Sequence, residues 1–278
     1  MTTGPQELCL RDRDGVCIVF DRWPAERPRA VVQLLHGIGE HAGRYRGLAE
    51  RLVEAGYAVV VADLRGHGRT GLRQGRLGEL GPRGMHGVLD SVCTMSMHLE
   101  HSEGGLPLVL LGHSWGSFLA QKAAARFDRY AALVLIGSTL RVPGHIARGD
   151  LNAGIADPRT PYDWLSRDPV VVDAYLADPW TGHTTVAGLP ERERAVIDGA
   201  PEPLRRELPV LVLAGAEDPV GGASGSTALA EALRAAGQER VDLRLYPHAR
   251  HELLNEPEGE QATADLLAWL DATVPRSR

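Results

Sequence analysis

Ser114 lies in the pentapeptide Gly112-His113-Ser114-Trp115-Gly116, with an apolar run at 106–111 before it and a helix-like run at 117–126 after it. Strand, tight turn and helix is the setting in which Gly-x-Ser-x-Gly forms a nucleophile elbow. The glycines are a steric requirement: the serine backbone is strained in so sharp a turn, and bulky neighbours would clash with it. The strain lifts the hydroxyl clear of the sheet, and the new helix offers unpaired N–H groups to developing negative charge. A serine hydroxyl is a poor nucleophile near neutral pH and needs an adjacent base. That base needs a partner to fix its tautomer and stabilise its charged form.

Behind such an elbow the acid comes next in the chain and the histidine last. The apolar run at 210–214 leads into Gly215-Ala216-Glu217-Asp218-Pro219. Asp218 is the expected acid and Glu217 the alternative; Pro219 holds Asp218 extended and so favours it. The run ending at Tyr246 leads into Pro247-His248-Ala249-Arg250-His251. His251 is the expected base and His248 its competitor. The oxyanion needs backbone donors. One is the N–H of Trp115, directly after the nucleophile; the other is expected from Ile38 in the loop His36-Gly37-Ile38-Gly39. The bland alternatives are a Gly-rich helix start, a surface carboxylate, a loop histidine and an idle Gly-rich turn.

The elements that must position these groups alternate. Short apolar runs at 30–35, 57–62, 106–111, 131–137, 209–215 and 241–246 read as buried strands. Helical spacing appears at 45–55, 85–98, 117–126, 226–236 and 257–272, and Gly15 marks a hairpin near the amino terminus. The stretch 63–81 is rich in Gly and Arg and reads as loop. This alternation predicts an α/β protein with a mostly parallel sheet and helices on both faces. Ligands of such sheets bind at the carboxyl ends of the strands. Residues 138–208 interrupt the pattern with eight prolines, few long apolar runs and helix-like segments at 169–176 and 191–197. An insertion of that size between core strands predicts a cap or lid. The core is then 1–137 with 209–278, and the cap 138–208. Among its apolar side chains Trp164, Tyr175 and Trp180 are candidates for a substrate pocket, with Ile146, Leu151, Ile155, Tyr162 and Leu176 beside them.

The chain has 278 residues, 44% hydrophobic and 24% charged, which is ordinary for a globular protein able to bury a large core. Its net charge of −6, without a basic block, argues against nucleic acid and anionic membrane surfaces as partners. Three cysteines without metal spacing predict reduced thiols, no metal site and a cytoplasmic location. The first residues show no basic and apolar leader, and no apolar run is long enough to span a membrane.

Taken together, these motifs resemble the α/β-hydrolase superfamily, and within it the monoacylglycerol lipase or lysophospholipase-like group. The residues that carry the resemblance are His36-Gly37-Ile38-Gly39-Glu40-His41 with Arg44-Tyr45, Asp63-Leu64-Arg65-Gly66-His67-Gly68, the elbow, Asp218-Pro219-Val220, and His251-Glu252-Leu253-Leu254-Asn255-Glu256. Ser166-Arg167-Asp168-Pro169 and Asp178-Pro179 are similar too, so the resemblance runs from about residue 15 to the carboxyl terminus. It implies an eight-stranded sheet, a helical cap after the sixth strand, a serine nucleophile and hydrolysis of a small or lipid-like carboxylic ester without a cofactor. Three positions depart from the group: Trp115 stands where Met is common, Ser117 where Gly is common, and His248 where a small residue is usual. His41 and Glu40 are read as holding the oxyanion loop, and His67 and His113 as packing around loop and elbow. The rival readings are a non-hydrolytic enzyme on the same fold, a lyase or cofactor-free peroxidase, and a ligand-binding protein that retains the triad.

Overall fold

The computed structural model describes residues 4–146 and 149–274; residues 1–3 of the amino-terminal reading, 147–148 of the expected cap and 275–278 of the expected core lie outside these. In chain order come β1 (Gln6–Arg11), β2 (Cys17–Trp23), β3 (Ala30–Leu35), α1 (Arg46–Glu54), β4 (Tyr57–Ala62), α2 (Gly68–Arg73), α3 (Gly84–Ser102) and β5 (Leu108–His113). There follow α4 (Trp115–Arg126), β6 (Tyr130–Ile136), α5 (Pro169–Ala177), α6 (Glu191–Arg194), β7 (Val210–Gly215), α7 (Gly222–Ala235), β8 (Val241–Tyr246) and α8 (Gly259–Thr273).

The strands form one eight-stranded sheet in the order β1-β2-β4-β3-β5-β6-β7-β8. β1 and β2 are antiparallel to each other and β2 to β4, and all other pairs are parallel. The central strands are buried on both faces, which is why they read as unbroken apolar runs. Alternate side chains of β3 serve opposite sides. Val31 and Leu35 pack with Leu89 of α3, Leu119 of α4 and Leu229 of α7. Val32 and Leu34 pack with Leu52 of α1 and with Leu266 and Trp269 of α8. The sheet is thus a middle layer between two sets of helices.

Two expectations change. The stretch 63–81 is not all loop, because it contains α2. This helix has no capping side chain of its own; Asp63 Oδ2, at the end of β4, accepts from the N–H (3.0 Å) and Nε (2.6 Å) of Arg69. At Gly68, which has φ 46°, a Cβ would run into the Asp63 carboxylate. The cysteines also depart from expectation. Cys9 and Cys17 are joined in a disulfide, with Cα atoms 5.8 Å apart, because the β1–β2 hairpin brings them together. Only Cys93 is a free thiol, and burial pushes its pKa up to about 11. The expectation of three reduced thiols is therefore wrong, and the cysteines give no support to a cytoplasmic location.

Candidate active site

β5 delivers Ser114 to the carboxyl end of the parallel strands and α4 carries the chain away. The turn has left-handed backbone at a non-glycine residue, with φ 52° and ψ −122° at Ser114. A Cβ on Gly112 would strike the Gly116 carbonyl, and one on Gly116 would strike the Leu35 carbonyl. Both elbow glycines are thus fixed by close backbone approach. The Ser117 hydroxyl donates to the Ser114 carbonyl (2.6 Å) and its oxygen lies 2.8 Å from Ser138 Oγ, bracing the turn from below.

The loops after β7 and β8 bring the other two groups in. They touch at Gly215, where a Cβ would strike the Ala249 carbonyl, and the Glu217 N–H donates to that carbonyl at 3.0 Å. His251 Nε2 lies 2.7 Å from Ser114 Oγ, and its Nδ1 lies 3.0 and 2.9 Å from the two carboxylate oxygens of Asp218. His251 is 2% and Asp218 5% exposed, so the pair is shielded from water. The competing residues fall elsewhere: His248 and Glu217 pair with each other at 3.0 Å, with side chains 72% and 55% exposed.

The loop 36–39 passes over the elbow. A Cβ on Gly37 would meet Glu40 Oε1 at 2.6 Å and the Ser114 Cβ at 3.3 Å. The Gly37 N–H donates to Glu40 (2.6 Å) and the Gly39 N–H to His67 Nε2 (3.1 Å). Among the described residues, the N–H groups of Ile38 and Trp115 have no hydrogen-bond partner. Both residues belong to the two segments that meet at Ser114.

A buried charge network supports this loop. Glu40 Oε1 also accepts from the Tyr45 hydroxyl (2.7 Å) and lies 3.1 Å from His113 Nδ1. Arg44 donates to Glu40 (3.0 Å) and, in a fork, to Glu252 beside His251 (2.5 and 2.8 Å). Burial opposes charge on His113 and Glu40 alike. The bond between the two, with Arg44 beside Glu40, outweighs it, raising the His113 pKa and holding Glu40 well below the usual carboxylate range. His113 Nε2 is 3.3 Å from the His251 carbonyl, so one imidazole ties the loop 36–39 to the loop after β8. In sequence Arg44 and Glu252 appear only as motif letters; their role becomes visible when residues 208 positions apart meet.

His67 has the opposite electrostatics. Its Nδ1–H donates to the Arg65 carbonyl (2.9 Å), leaving Nε2 as acceptor for Gly39. Burial, and then the neighbouring His36, depress its pKa to about 3. An unfolded histidine titrates near 6.5, so between pH 6.5 and about 3 the unfolded chain binds the extra proton. The stabilisation is complete above pH 6.5 and is lost as pH falls through that window. His36, also depressed by burial, acts in the same direction. His113 acts in the other direction, losing its contribution as pH rises above about 6.5. We expect the thermal midpoint to fall between pH 6.5 and 4. In His67→Gln, where an amide carbonyl can accept the Gly39 N–H at any pH, the slope should flatten. An equal slope in that variant would assign the acid lability elsewhere.

Ser114 opens into a cavity of about 360 Å³. Trp164 and Tyr175 line it, together with Ile146, Leu151, Tyr162 and Phe118. The Trp164 ring is 5.0 Å from that of His251, and the Tyr175 hydroxyl donates to the Gly39 carbonyl (3.0 Å). Trp180 does not line the cavity. It stands edge-on to His41 at 5.2 Å, beside the 2.8 Å pair of His41 with Asp178, and so packs the loop after α5. Ile155 and the exposed Leu176 are outside it as well. Arg141, Arg194 and Asp198, which sequence alone did not single out, are in its wall.

Among the described residues no cluster of three His, Cys, Asp or Glu side chains is placed to hold a metal ion. No described helix is long and apolar enough to cross a membrane.

Comparison with known proteins adds to this geometry. The family model for serine aminopeptidase, S33, matches residues 26–258. A monoacylglycerol lipase of Mycolicibacterium smegmatis is 35% identical over 272 residues, covering 92% of this chain and 93% of that one. Human monoglyceride lipase is 29% identical, covering 89% and 84%. Among solved structures, a thermostable carboxyl esterase from Bacillus coagulans in complex with glycerol superposes with a TM-score of 0.87 at 26% identity, covering 99% of this chain and 100% of that one.

Proposed function

The chain belongs to the α/β-hydrolase family of serine aminopeptidase, S33, in its monoacylglycerol lipase-like group, and on that premise we propose a serine hydrolase that cleaves short- to medium-chain acyl esters, monoacylglycerols among them, through an acyl-enzyme. That it is an ester hydrolase follows from the relatives. The mechanism is our reading, and one observation carries it: a single imidazole bonded on one side to Ser114 Oγ and on the other to a buried carboxylate.

His251 takes the proton of Ser114 as Oγ attacks the ester carbonyl. Asp218 holds the Nδ1–H tautomer and stabilises the imidazolium that forms. The N–H groups of Ile38 and Trp115 receive the tetrahedral oxyanion, each contributing about 3 kcal/mol. His251 then protonates the leaving alcohol, the ester C–O bond breaks, and Ser114 keeps the acyl group. Water, deprotonated by His251, attacks the acyl-enzyme and releases the acid. Residues 1–137 and 209–278 form the catalytic core in this reading. Residues 138–208 are a cap, tied to the core where Tyr175 and the Gly182 N–H bond the Gly39 carbonyl and the Glu252 N–H bonds the Leu165 carbonyl.

Burial of an acyl chain gains about 0.8 kcal/mol per CH₂ until the cavity is full. With p-nitrophenyl esters from acetyl to palmitoyl, we expect kcat/KM to rise from acetyl and then fall within the medium-chain range. Trp164→Ala and Tyr175→Ala should shift the optimum. Trp180→Ala, which leaves the cavity wall intact, should not. A flat profile in the wild type would overturn the acyl assignment of the cavity. No hydrolysis of any ester by the purified protein would overturn the function itself.

A further inference from the structure

The cavity wall holds unlike groups. It includes Ser114 and His251, and it also includes three charged side chains, Arg141, Arg194 and Asp198. Phe118 connects them. It lies one helical turn from Ser114, with its N–H on the Ser114 carbonyl (3.3 Å), and the Arg141 guanidinium sits 4.3 Å above its ring. Arg141 is 7% exposed, and its Nε donates to Asp198 Oδ1 at 2.9 Å. That pair is neutral as a unit and closes the wall.

Arg194 is different. Its NH1 group is held by the carbonyls of Ala187 (3.1 Å) and Leu189 (2.7 Å). Among the described residues no carboxylate lies within ion-pairing distance of it. A guanidinium cannot lose its charge and has five N–H donors in a fixed fork. The two carbonyl bonds fix the fork, and Nε and NH2 keep donors for something else. An apolar acyl tail reaching this wall would desolvate the cation without compensating it. The lining carboxylates Glu40 and Glu252 are both matched by Arg44, and Asp198 by Arg141, so Arg194 is the charged side chain of the wall left without a carboxylate.

We propose that Arg194, which shares the cavity wall with the Arg141–Asp198 pair, is an anion subsite for the distal end of the acyl group, and that the enzyme accepts half-esters of short dicarboxylic acids. This rests on the ester-hydrolase reading and names the substrate class of the same site. The carboxylate takes the free side of the guanidinium fork while the ester carbonyl lies at Ser114. No new bond chemistry is involved: the ester C–O bond breaks, water supplies the new C–O bond and the proton, and the alcohol and the dicarboxylic acid leave.

The test compares mono-p-nitrophenyl esters of succinate through suberate with methyl-terminated acyl esters of matched length. Wild type, Arg194→Gln and Arg194→Lys are assayed, with near-ultraviolet circular dichroism to check that each is folded. The readout is the ratio of kcat/KM for half-ester to neutral ester. Loss of one charge-assisted hydrogen-bonding group should lower that ratio about tenfold in Arg194→Gln, chiefly through KM for the half-ester. Arg194→Lys, which keeps the charge but not the fork, should fall between. An unchanged ratio in Arg194→Gln overturns the subsite, as does wild-type rejection of every half-ester alongside turnover of neutral esters. In both cases the ester-hydrolase reading survives. Failure of wild type on both substrate classes removes the ester-hydrolase reading and the subsite with it.

Discussion

Ser114→Ala is expected to lose ester hydrolysis by a factor on the order of 10⁶ and to lose fluorophosphonate labelling completely. The reason is local. Ser114 is the hydroxyl bonded to His251 Nε2 (2.7 Å) at the floor of the cavity, and its φ of 52° directs the side chain out of the sheet. Alanine removes the oxygen and leaves the elbow, because both glycines and the Ser117 bond to the residue 114 carbonyl remain. The variant should therefore fold and still bind ester. Its residual rate over water reports what the proposed oxyanion donors and binding supply without a nucleophile. Intact-protein mass spectrometry after fluorophosphonate treatment should show one adduct in wild type and none in the variant. Retention of full turnover in folded Ser114→Ala would remove the acyl-enzyme mechanism at Ser114 and require a different nucleophile for the hydrolysis.

The same local logic explains what could be read from the chain. β3, β4 and β8 have the expected bounds, because a strand is read from its own residues: β3 and β4, buried on both faces, are short unbroken apolar runs. The elbow is legible for the same reason: strand, glycines, serine and helix are contiguous. What escaped reading depends on partners distant in sequence. α2 is capped by Asp63 from outside the helix, so its own residues carry no start signal. The Cys9–Cys17 bond follows from hairpin register, which cysteine counting cannot reach. Trp180 and Trp164 are alike by composition and position in the 138–208 segment. Only the fold turns one toward His251 and the other toward His41. The charged wall of the cavity draws on the chain after β6 and on the residues in and after α6, and none of these segments carries a recognisable motif.

The largest remaining effect separates two histidines three positions apart. His251→Ala should lower kcat by about 10⁴- to 10⁶-fold, in line with removal of a triad base. His248→Ala should cost less than about tenfold, in line with loss of an exposed side-chain contact to Glu217. The sequence offered both, and the geometry discriminates between them. His251 is buried, bonded to Asp218 and Ser114, with the Trp164 ring against its own. His248 has left-handed backbone at φ 64° and a side chain 72% exposed, turned to Glu217. Because alanine also tolerates that backbone poorly, His248→Gly is the cleaner control: it keeps the turn and deletes the imidazole. Asp218→Asn should fall near His251→Ala, about 10⁴-fold down, because the amide favours the wrong imidazole tautomer without moving the ring. Glu217→Gln, which disturbs only the exposed pair, should behave like His248→Gly. Steady-state kinetics on one short ester, with the five variants at a fixed pH, is sufficient. A large loss in His248→Gly and a small one in His251→Ala would show that the base approaches Ser114 from a conformation other than the one described here. Equal large losses with native circular dichroism would instead make the loop after β8, rather than a single imidazole, the unit on which turnover depends.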